Sequence, residues 1–251
     1  QHERRGRRRR HEGRAGARIH PIGILAALRT YAQGHGERSD NTWTPVQGVI
    51  NALDAAFYLT FVNAPVTYKR WLLALDVSGS MASGNVSGVV GLTPREASAA
   101  LALVTASTEP MHELVGFTSG SRAGWEFGGG PAALTKLAIH KGQRLTDAIK
   151  VVSNLSFGGT DCALPMLYAT KNKLPVDVFV VYTDSETWAG NVQPVQALQE
   201  YRQRMGIGAK LVVVGMTSNG FTLADPNDAG MLDVVGFDPG VPAVLSDFAV
   251  A

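Results

Sequence analysis

Cysteine is almost absent from the chain, and so are long apolar runs. Cys162 is the one cysteine in 251 residues, which excludes an internal disulfide and favours a reducing compartment. No apolar run approaches the roughly 18 residues that a membrane span needs. No apolar stretch follows the basic N-terminus, as a secretory signal would require. We therefore expect no membrane segment. Because the chain begins with Gln1 rather than Met, we also expect it to be the C-terminal part of a longer product.

The overall charge of +2 conceals a strongly basic segment at the N-terminus. Residues 1–18, the basic arm, hold eight arginines and two glutamates, which leaves 15 basic and 19 acidic residues elsewhere. Such a segment is typical of disorder. Its functional interpretation is non-specific contact with nucleic-acid phosphates, through arginines such as Arg7, Arg8, Arg9 and Arg10. A solvated tail is the alternative, and no aromatic residue interleaves the arginines to stack on bases.

Two short helices are predicted after the basic arm. The first covers 19–34, with Pro21 in its first turn and Gly34 at its end. The second begins with Thr44 as its cap and Pro45 as its first helical residue. We interpret residues 19–65 as a helical hairpin that packs on the domain that follows.

Strand and helix patterns alternate through the rest of the chain, 66–251. An apolar content of 45% is ordinary for a domain that buries a core. The alternation predicts an α/β fold: a doubly wound, mostly parallel sheet of the Rossmann type with helices on both faces. The predicted strands cover 70–76, 112–118, 135–140, 177–183, 210–215 and 231–236, and the predicted helices cover 94–108, 144–154, 162–170 and 193–204.

A short polar motif follows the first predicted strand. Asp76, Ser78 and Ser80 come directly after the apolar run 71–75, which is typical of a central strand. In open α/β sheets, ligands bind beyond the carboxyl ends of the strands. The three side chains are hard oxygen donors without His or Cys, which favours Mg²⁺, Mn²⁺ or Ca²⁺ over Zn²⁺. The motif taken alone also suits an ordinary loop, because Asp and Ser satisfy turn backbones.

Two further segments favour the metal site over the ordinary loop. Thr160 follows a glycine-rich bend just before a predicted helix, and Asp184 ends a second apolar strand. Parallel strands present their carboxyl ends on one edge of a sheet, so Asp76 and Asp184 can converge there, with Thr160 reaching them from a neighbouring loop. Asp161 is expected to cap the helix that follows it, and Cys162 to be a small buried residue.

An enzyme is a competing interpretation of the same motif. Aspartate-nucleophile phosphatases also end a strand in Asp and use Mg²⁺ at this edge. They need a second carboxylate two residues later as the general acid, and Ser78 stands at that position. The sequence contains neither a phosphate-binding Gly-x-x-x-x-Gly-Lys-Ser/Thr loop nor a Gly-x-Ser-x-Gly nucleophile motif. We therefore expect no catalytic residues.

The five metal-ligand candidates resemble the metal-ion-dependent adhesion site of von Willebrand factor A domains. The flanking segments indicate a particular family among these domains. Residues 70–81, 158–166 and 177–184 are similar to the A domain of the Ro/SS-A ribonucleoprotein autoantigen family, and so is 215–233. Upstream, 19–21, 34–36 and 52–58 resemble the last helices of that family's TROVE module. The resemblance covers about residues 19–251.

This family resemblance implies RNA binding by a larger protein. Members form a ring of helical repeats that holds small noncoding Y RNAs outside and the ends of misfolded RNA in its hole, and the A domain closes the ring. Bacterial members act with exoribonucleases in RNA quality control, and we expect a cytoplasmic location. Nearly all of the ring is absent from this sequence, so the family's RNA-contacting residues are not carried over. The alternative is a metal-dependent module that recruits an acidic protein partner without RNA.

Overall fold

A six-stranded sheet forms the centre of the protein. The computed structural model describes residues 21–36, 39–60, 65–86, 91–119, 132–155, 158–184, 191–217 and 223–251, so the basic arm with Arg7, Arg8, Arg9 and Arg10 lies outside the described residues. The strands are β1 Trp71–Asp76, β2 His112–Ser119, β3 Ala132–Lys136, β4 Val178–Thr183, β5 Lys210–Gly215 and β6 Met231–Val235. Their order is β3-β2-β1-β4-β5-β6. Every pair is parallel except β2 with β3, which confirms the predicted α/β sheet.

Helices cover both faces of the sheet. They are α1 Pro21–Gln33, α2 Gln47–Leu59, α3 Pro94–Thr108, α4 Leu145–Ser153, α5 Leu164–Lys171, α6 Pro194–Met205 and α7 Val241–Val250. Buried side chains of α1, α2, α3, α4 and α7 form one hydrophobic core with the sheet, and those of α5 and α6 form a second core on the opposite face. Among the described residues, no helix is long and apolar enough to span a bilayer.

The central strands are buried on both faces because successive side chains of a strand point in opposite directions. All six residues of β1 are buried, as are all six of β4. In β1, Leu73 and Leu75 enter the core beneath α3, whereas Leu72 and Ala74 enter the core beneath α5 and α6. Continuous apolar runs are therefore what a central parallel strand requires, and they made both strands recognisable in the sequence.

Helix α3 begins where its sequence predicts. Thr93 and Glu96 form a reciprocal capping box, in which each side chain accepts from the other residue's backbone N–H, and Pro94 occupies the first turn. Glu96 also accepts from Arg29 Nε of α1, at 3.1 and 3.2 Å to its two oxygens. The ion pair fastens the helical hairpin to the start of α3.

The predicted start of α2 was wrong. The helix begins at Gln47 after Val46, and no side chain caps it, so Thr44 and Pro45 precede the helix. The Val46 N–H donates instead to the Tyr31 hydroxyl at 3.2 Å. This hydrogen bond joins the residue before α2 to α1.

Two more elements differ from the sequence-based expectation. Strand β3 covers Ala132–Lys136 rather than 135–140, and His140 follows it outside any strand. Helix α7 was not predicted, because its sequence Val-Pro-Ala-Val-Leu-Ser-Asp-Phe-Ala-Val has almost no polar face to reveal a helical period. Its Val241, Leu245 and Ala249 complete the core beneath α3.

Candidate functional site

The candidate site lies where the winding direction of the sheet reverses. Strands β1 and β4 are neighbours, yet the chain proceeds from β1 outward to β2 and β3 on one side, and from β4 to β5 and β6 on the other. In open α/β sheets, ligands bind outside the carboxyl ends of the strands at such a switch point. Asp76 is the last residue of β1, and Asp184 directly follows β4. We call this edge of the sheet the rim.

Asp76 is fully buried and held by hydrogen bonds on both carboxylate oxygens. The Ser78 N–H donates to its Oδ1 at 2.8 Å, and the Thr183 hydroxyl donates to its Oδ2 at 2.8 Å. Thr183 is the last residue of β4, so this bond joins the ends of the two central strands. The orientation of the Asp76 carboxylate is therefore set by its own loop and by the neighbouring strand.

The two serines of the motif lie side by side. Ser78 Oγ and Ser80 Oγ are 3.1 Å apart. Ser78 is 1% exposed, whereas Ser80 is exposed and begins a short 3-10 helix, Ser80–Ala82. The spacing i, i+2 thus directs both hydroxyls to one point at the surface of the rim.

A second loop brings Thr160 to the rim. Thr160 is buried and directly follows Gly158 and Gly159. The Gly79 N–H donates to the Gly158 carbonyl at 2.9 Å, which ties this loop to the serine motif. Thr118, at the end of β2, accepts from the Gly158 N–H at 2.8 Å and donates to the Gly159 carbonyl at 2.9 Å. The glycine bend is therefore fixed between the ends of β1 and β2.

Asp184 adds a second buried carboxylate to the rim, with 7% of its surface exposed. Burial raises the pKa of Asp76 to about 7, and the negative charge of Asp184 adds to that rise; the hydrogen bonds from Ser78 and Thr183 oppose it. The rise in pKa means that the hydrogen bonds to Asp76 do not offset the cost of burying its negative charge. Two neighbouring buried carboxylates favour the arrival of a cation.

Asp161 and Cys162 lie beside the site without completing it. Asp161 Oδ1 accepts from the Ala163 N–H at 3.1 Å in the turn before α5, but no side chain caps α5 itself, so the predicted helix cap was wrong. Burial raises the pKa of Asp161 to about 6. Cys162 is buried, with its Sγ 4.0 Å from Thr183 Oγ1. The part of the chain that the structure describes contains no group of three or more His, Cys, Asp or Glu side chains suited to a metal. The candidate site therefore depends on hydroxyls as much as on carboxylates.

This donor set fits a hard divalent cation. It consists of two carboxylates and three hydroxyls, from Asp76, Ser78, Ser80, Thr160 and Asp184. The structure brings Asp76, Ser78 and Ser80 together by direct contacts. It ties the loop of Thr160 to them by backbone bonds, and it places Asp184 within electrostatic reach of Asp76. Oxygen ligands of this kind suit Mg²⁺, Mn²⁺ or Ca²⁺.

Sequence reasoning missed three residues that support the loops: Arg95, Thr118 and Thr183. Arg95 Nη2 donates to the carbonyls of Val77 and Ser78. All three contact residues far away in the chain, so no local spacing could have revealed them. For Thr183, its position just before Asp184 at the end of a buried strand was the available signal.

Comparisons with known proteins agree with this architecture. The family model of the Ro60 vWA domain matches residues 70–249. "RNA-binding protein RO60" of Deinococcus radiodurans is 48% identical over 232 residues, which cover 92% of this chain and 41% of that protein. The protein of the same name from Caenorhabditis elegans is 44% identical over 233 residues, which cover 92% of this chain and 34% of that protein.

A solved structure shows the same likeness. The crystal structure of the Deinococcus radiodurans RO (RSR) protein superposes with a TM-score of 0.71 at 48% identity, over 92% of this chain and 44% of that one. The chain thus spans less than half the length of these relatives. The family model covers most of the chain, including all six strands and the rim. The chain therefore belongs to the Ro60 vWA domain family.

Proposed function

We propose that this chain is the divalent-cation-binding domain of a Ro-like ribonucleoprotein component, and that Mg²⁺ is its ion. The observation that carries the proposal is the pair of buried carboxylates, Asp76 and Asp184, at the ends of adjacent strands β1 and β4. Burial of a like-charged pair is costly unless a cation compensates it. The adjoining hydroxyls suit Mg²⁺, which prefers oxygen ligands and retains water.

Each candidate residue has a defined part in the proposed site. The hydroxyls of Ser78, Ser80 and Thr160 would hold the ion directly or through water, and Asp76 and Asp184 would supply negative charge. A bound cation would supply Lewis acidity toward an anionic oxygen of a carboxylate or a phosphate. Because hydroxyl ligands are neutral and Ser80 is exposed, such a partner oxygen can approach from solvent.

A titration tests the cation directly. We expect isothermal titration with Mg²⁺ to give saturable binding by the wild-type chain and none that is measurable by Asp76→Ala. The thermal midpoint in EDTA serves as the folding control for the variant. Equal Mg²⁺ binding by both proteins would contradict the proposed site.

We further propose that the full-length protein binds small noncoding RNA and acts with an exoribonuclease in RNA quality control in the cytoplasm. Support comes from the two relatives, each called an RNA-binding protein, and from the eight arginines of the basic arm. Gel-shift titration with a structured small RNA, on the chain with and without residues 1–18, tests how much of the RNA binding this chain provides. Loss of a salt-dependent shift on removal of the arm assigns the contact to the arginines. Absence of any shift places RNA binding outside this chain.

A metal-dependent protein-binding module without RNA is the second candidate. The exposure of Ser80 beside the buried carboxylates favours it, because a partner's carboxylate could reach the same cation. Mg²⁺-dependent capture of an acidic peptide, with no RNA shift at any length of the chain, would favour this candidate over the first. We propose no catalytic activity in either case, and a generic phosphate-ester assay tests that statement.

A further inference from the structure

We propose that Arg95 is a positioning residue for the cation site, because its guanidinium fixes the loop 77–80 that carries Ser78 and Ser80. The inference rests on the proposed function, since it assigns Arg95 a part in Mg²⁺ binding at the rim. Arg95 is not among the five oxygen-bearing residues and is expected to make no contact with the cation. It acts through the backbone of the loop.

The first observation is the burial of Arg95 and its choice of partners. Arg95 is 3% exposed, which is rare for arginine unless its charge is engaged. Its Nη2 donates to the Val77 carbonyl at 2.7 Å and to the Ser78 carbonyl at 2.9 Å. Both acceptors belong to the turn that leaves β1. The guanidinium therefore supplies the donor for two consecutive carbonyls that have left the sheet ladder.

Those two carbonyls set the direction of the Ser78 side chain. The Val77 carbonyl lies in the peptide plane before the Ser78 Cα, and the Ser78 carbonyl lies in the plane after it. A residue has only two soft backbone dihedrals, which relate these two planes. Holding both planes therefore fixes the backbone of Ser78 and the direction of its Cβ. Its Oγ is thereby kept 3.1 Å from Ser80 Oγ.

The N–H groups of the same loop are held from other directions. Val77 donates to the Phe117 carbonyl and Gly79 donates to the Gly158 carbonyl, each at 2.9 Å. Ser78 donates to Asp76 Oδ1 at 2.8 Å. Arg95 holds the carbonyl groups of the same loop, by donating to those of Val77 and Ser78. Without Arg95, the loop keeps the hydrogen bonds of its N–H groups but loses those that orient its carbonyls.

The position of the guanidinium is itself fixed by the start of α3. Arg95 lies between Pro94 and Glu96 in the first turn, where the capping box of Thr93 and Glu96 sets the helix end. Arg29 of α1 binds Glu96 from the hairpin side. Arg29 thus stabilises the same helix start, and its hydrogen bonds to Glu96 and Gln33 lie outside the loop, which makes it a matched control.

An electrostatic role for Arg95 predicts the opposite result from positioning. The positive charge of Arg95 is close enough to attract the carboxylate of Asp76. If that charge mainly competed with the cation, removing it would strengthen Mg²⁺ binding. If Arg95 mainly positions the loop, removing it weakens Mg²⁺ binding. We assign the second role because Arg95 Nη2 donates to two consecutive carbonyls of the loop. Loss of such an outer-shell partner typically lowers metal affinity by about 10–100-fold.

The test compares Arg95→Met, Arg95→Lys and Arg29→Met with wild type by Mg²⁺ titration and by thermal midpoints in Mg²⁺ and in EDTA. We expect Arg95→Met to bind Mg²⁺ about tenfold or more weakly and to lose most of the Mg²⁺-dependent gain in midpoint. Arg95→Lys retains the charge and one possible bond and should lie between Met and wild type. Arg29→Met should lower the midpoint in EDTA while its Mg²⁺ affinity stays at the wild-type value.

The outcomes separate the two proposals. Wild-type affinity or tighter binding in Arg95→Met overturns the positioning role while leaving the cation site in place. Wild-type protein that binds no Mg²⁺ overturns the proposed function, and this inference with it. If Arg95→Met does not fold, Arg95→Lys carries the test, because it should still bind Mg²⁺ more weakly than wild type. Equal affinity in a folded Arg95→Lys would then overturn the role.

Discussion

Strands β1 and β4 are flanked by charged residues at both ends. The charges at the amino ends have opposite signs, whereas those at the carboxyl ends have the same sign. At the amino end, Arg70 precedes β1 and Asp177 precedes β4, and Arg70 donates to Asp177 Oδ2 from its Nε at 2.8 Å and its backbone N at 2.9 Å. These bonds hold the pKa of Asp177 below its usual value. At the carboxyl end, Asp76 and Asp184 follow the same two strands, and burial raises the pKa of Asp76 to about 7.

The difference separates residues that form an ion pair within the chain from residues that are candidates to bind a cation. Opposite charges at the amino end neutralise each other within the chain, so that end is complete. At the carboxyl end, burial and the nearby charge of Asp184 raise the pKa of Asp76, so ionised Asp76 opposes folding more than protonated or cation-bound Asp76 does. A buried carboxyl with a raised pKa at the carboxyl end of a strand, such as Asp76, is typical of functional sites. The same two strands therefore supply both a structural ion pair and a candidate cation site.

The same substitution at the two ends of β4 should give opposite results, and this is the largest effect we expect. Asp184→Asn removes a proposed ligand charge, so Mg²⁺ affinity should fall by more than the roughly 10–100-fold typical of outer-shell partners. In EDTA, this variant should be at least as stable as wild type, because one of two like charges is gone. Isothermal titration and denaturant unfolding measure the two quantities.

Asp177→Asn is the control at the other end of the strand. It should leave Mg²⁺ affinity unchanged and lower the free energy of unfolding by about 1 kcal/mol or less, because the pair with Arg70 is partly exposed and screened. Loss of Mg²⁺ binding in Asp177→Asn, or its retention in Asp184→Asn, would remove the distinction between the two ends.

A smaller effect is expected from the bend that carries Thr160. Thr118→Val keeps the side-chain shape but leaves the Gly158 N–H and the Gly159 carbonyl without their partner. Mg²⁺ affinity should fall by about tenfold, as for other outer-shell losses, and stability should fall by about 1–3 kcal/mol. Thr108→Val, which loses one bond to the Val104 carbonyl at the end of α3, is the matched control. It should leave Mg²⁺ affinity unchanged, and equal affinities in both variants would show that Thr118 only stabilises the fold.

The smallest expected effect is a pH dependence of the metal-free protein. The pKa of Asp76 rises to about 7 in the folded state, well above the usual value of an aspartate, so the folded protein retains a proton that the unfolded chain releases. Stability should therefore fall as the pH rises through that interval. Asp161, with a pKa raised to about 6, acts in the same direction.

Thermal midpoints in EDTA at about pH 5.5 and about pH 8 measure this effect, since 1 kcal/mol shifts the midpoint of a domain of this size by about 2–4 °C. The midpoint should be lower at the higher pH, and Asp76→Asn should reduce the difference. Saturating Mg²⁺ should also reduce it, because the cation replaces the proton. A midpoint in EDTA that rises over this interval would contradict the raised pKa of Asp76.

Local patterns predicted most of the fold. The apolar runs of β1 and β4, the capping box of α3 and the alternation of elements each depend on neighbouring residues, and all three are confirmed. The missed features depend on distant partners. The residue before α2, Val46, bonds to Tyr31 of α1, and α7 buries Val241, Leu245 and Ala249 in a core shared with other helices.

The candidate site divides in the same way. The motif of Asp76, Ser78 and Ser80 could be read from the sequence because a period of two after a buried strand places its oxygens together. The supports could not be read in this way. Arg95 contacts Ser78 across 17 residues, Thr118 contacts Gly159 across 41, and Thr183 contacts Asp76 across 107. Such contacts have no local signature.

The amino-acid order was sufficient to locate the strands and to propose the oxygen donors, because both follow from side-chain chemistry within a few residues. The class of ion stays a prediction. The strand order, which places β1 beside β4, emerged only from three-dimensional packing. Parallel strands that pair are separated by a long crossover connection, so their pairing depends on distant parts of the chain. The pairing of β1 with β4 places Asp76 and Asp184 at neighbouring strand ends, where they form one candidate cation site.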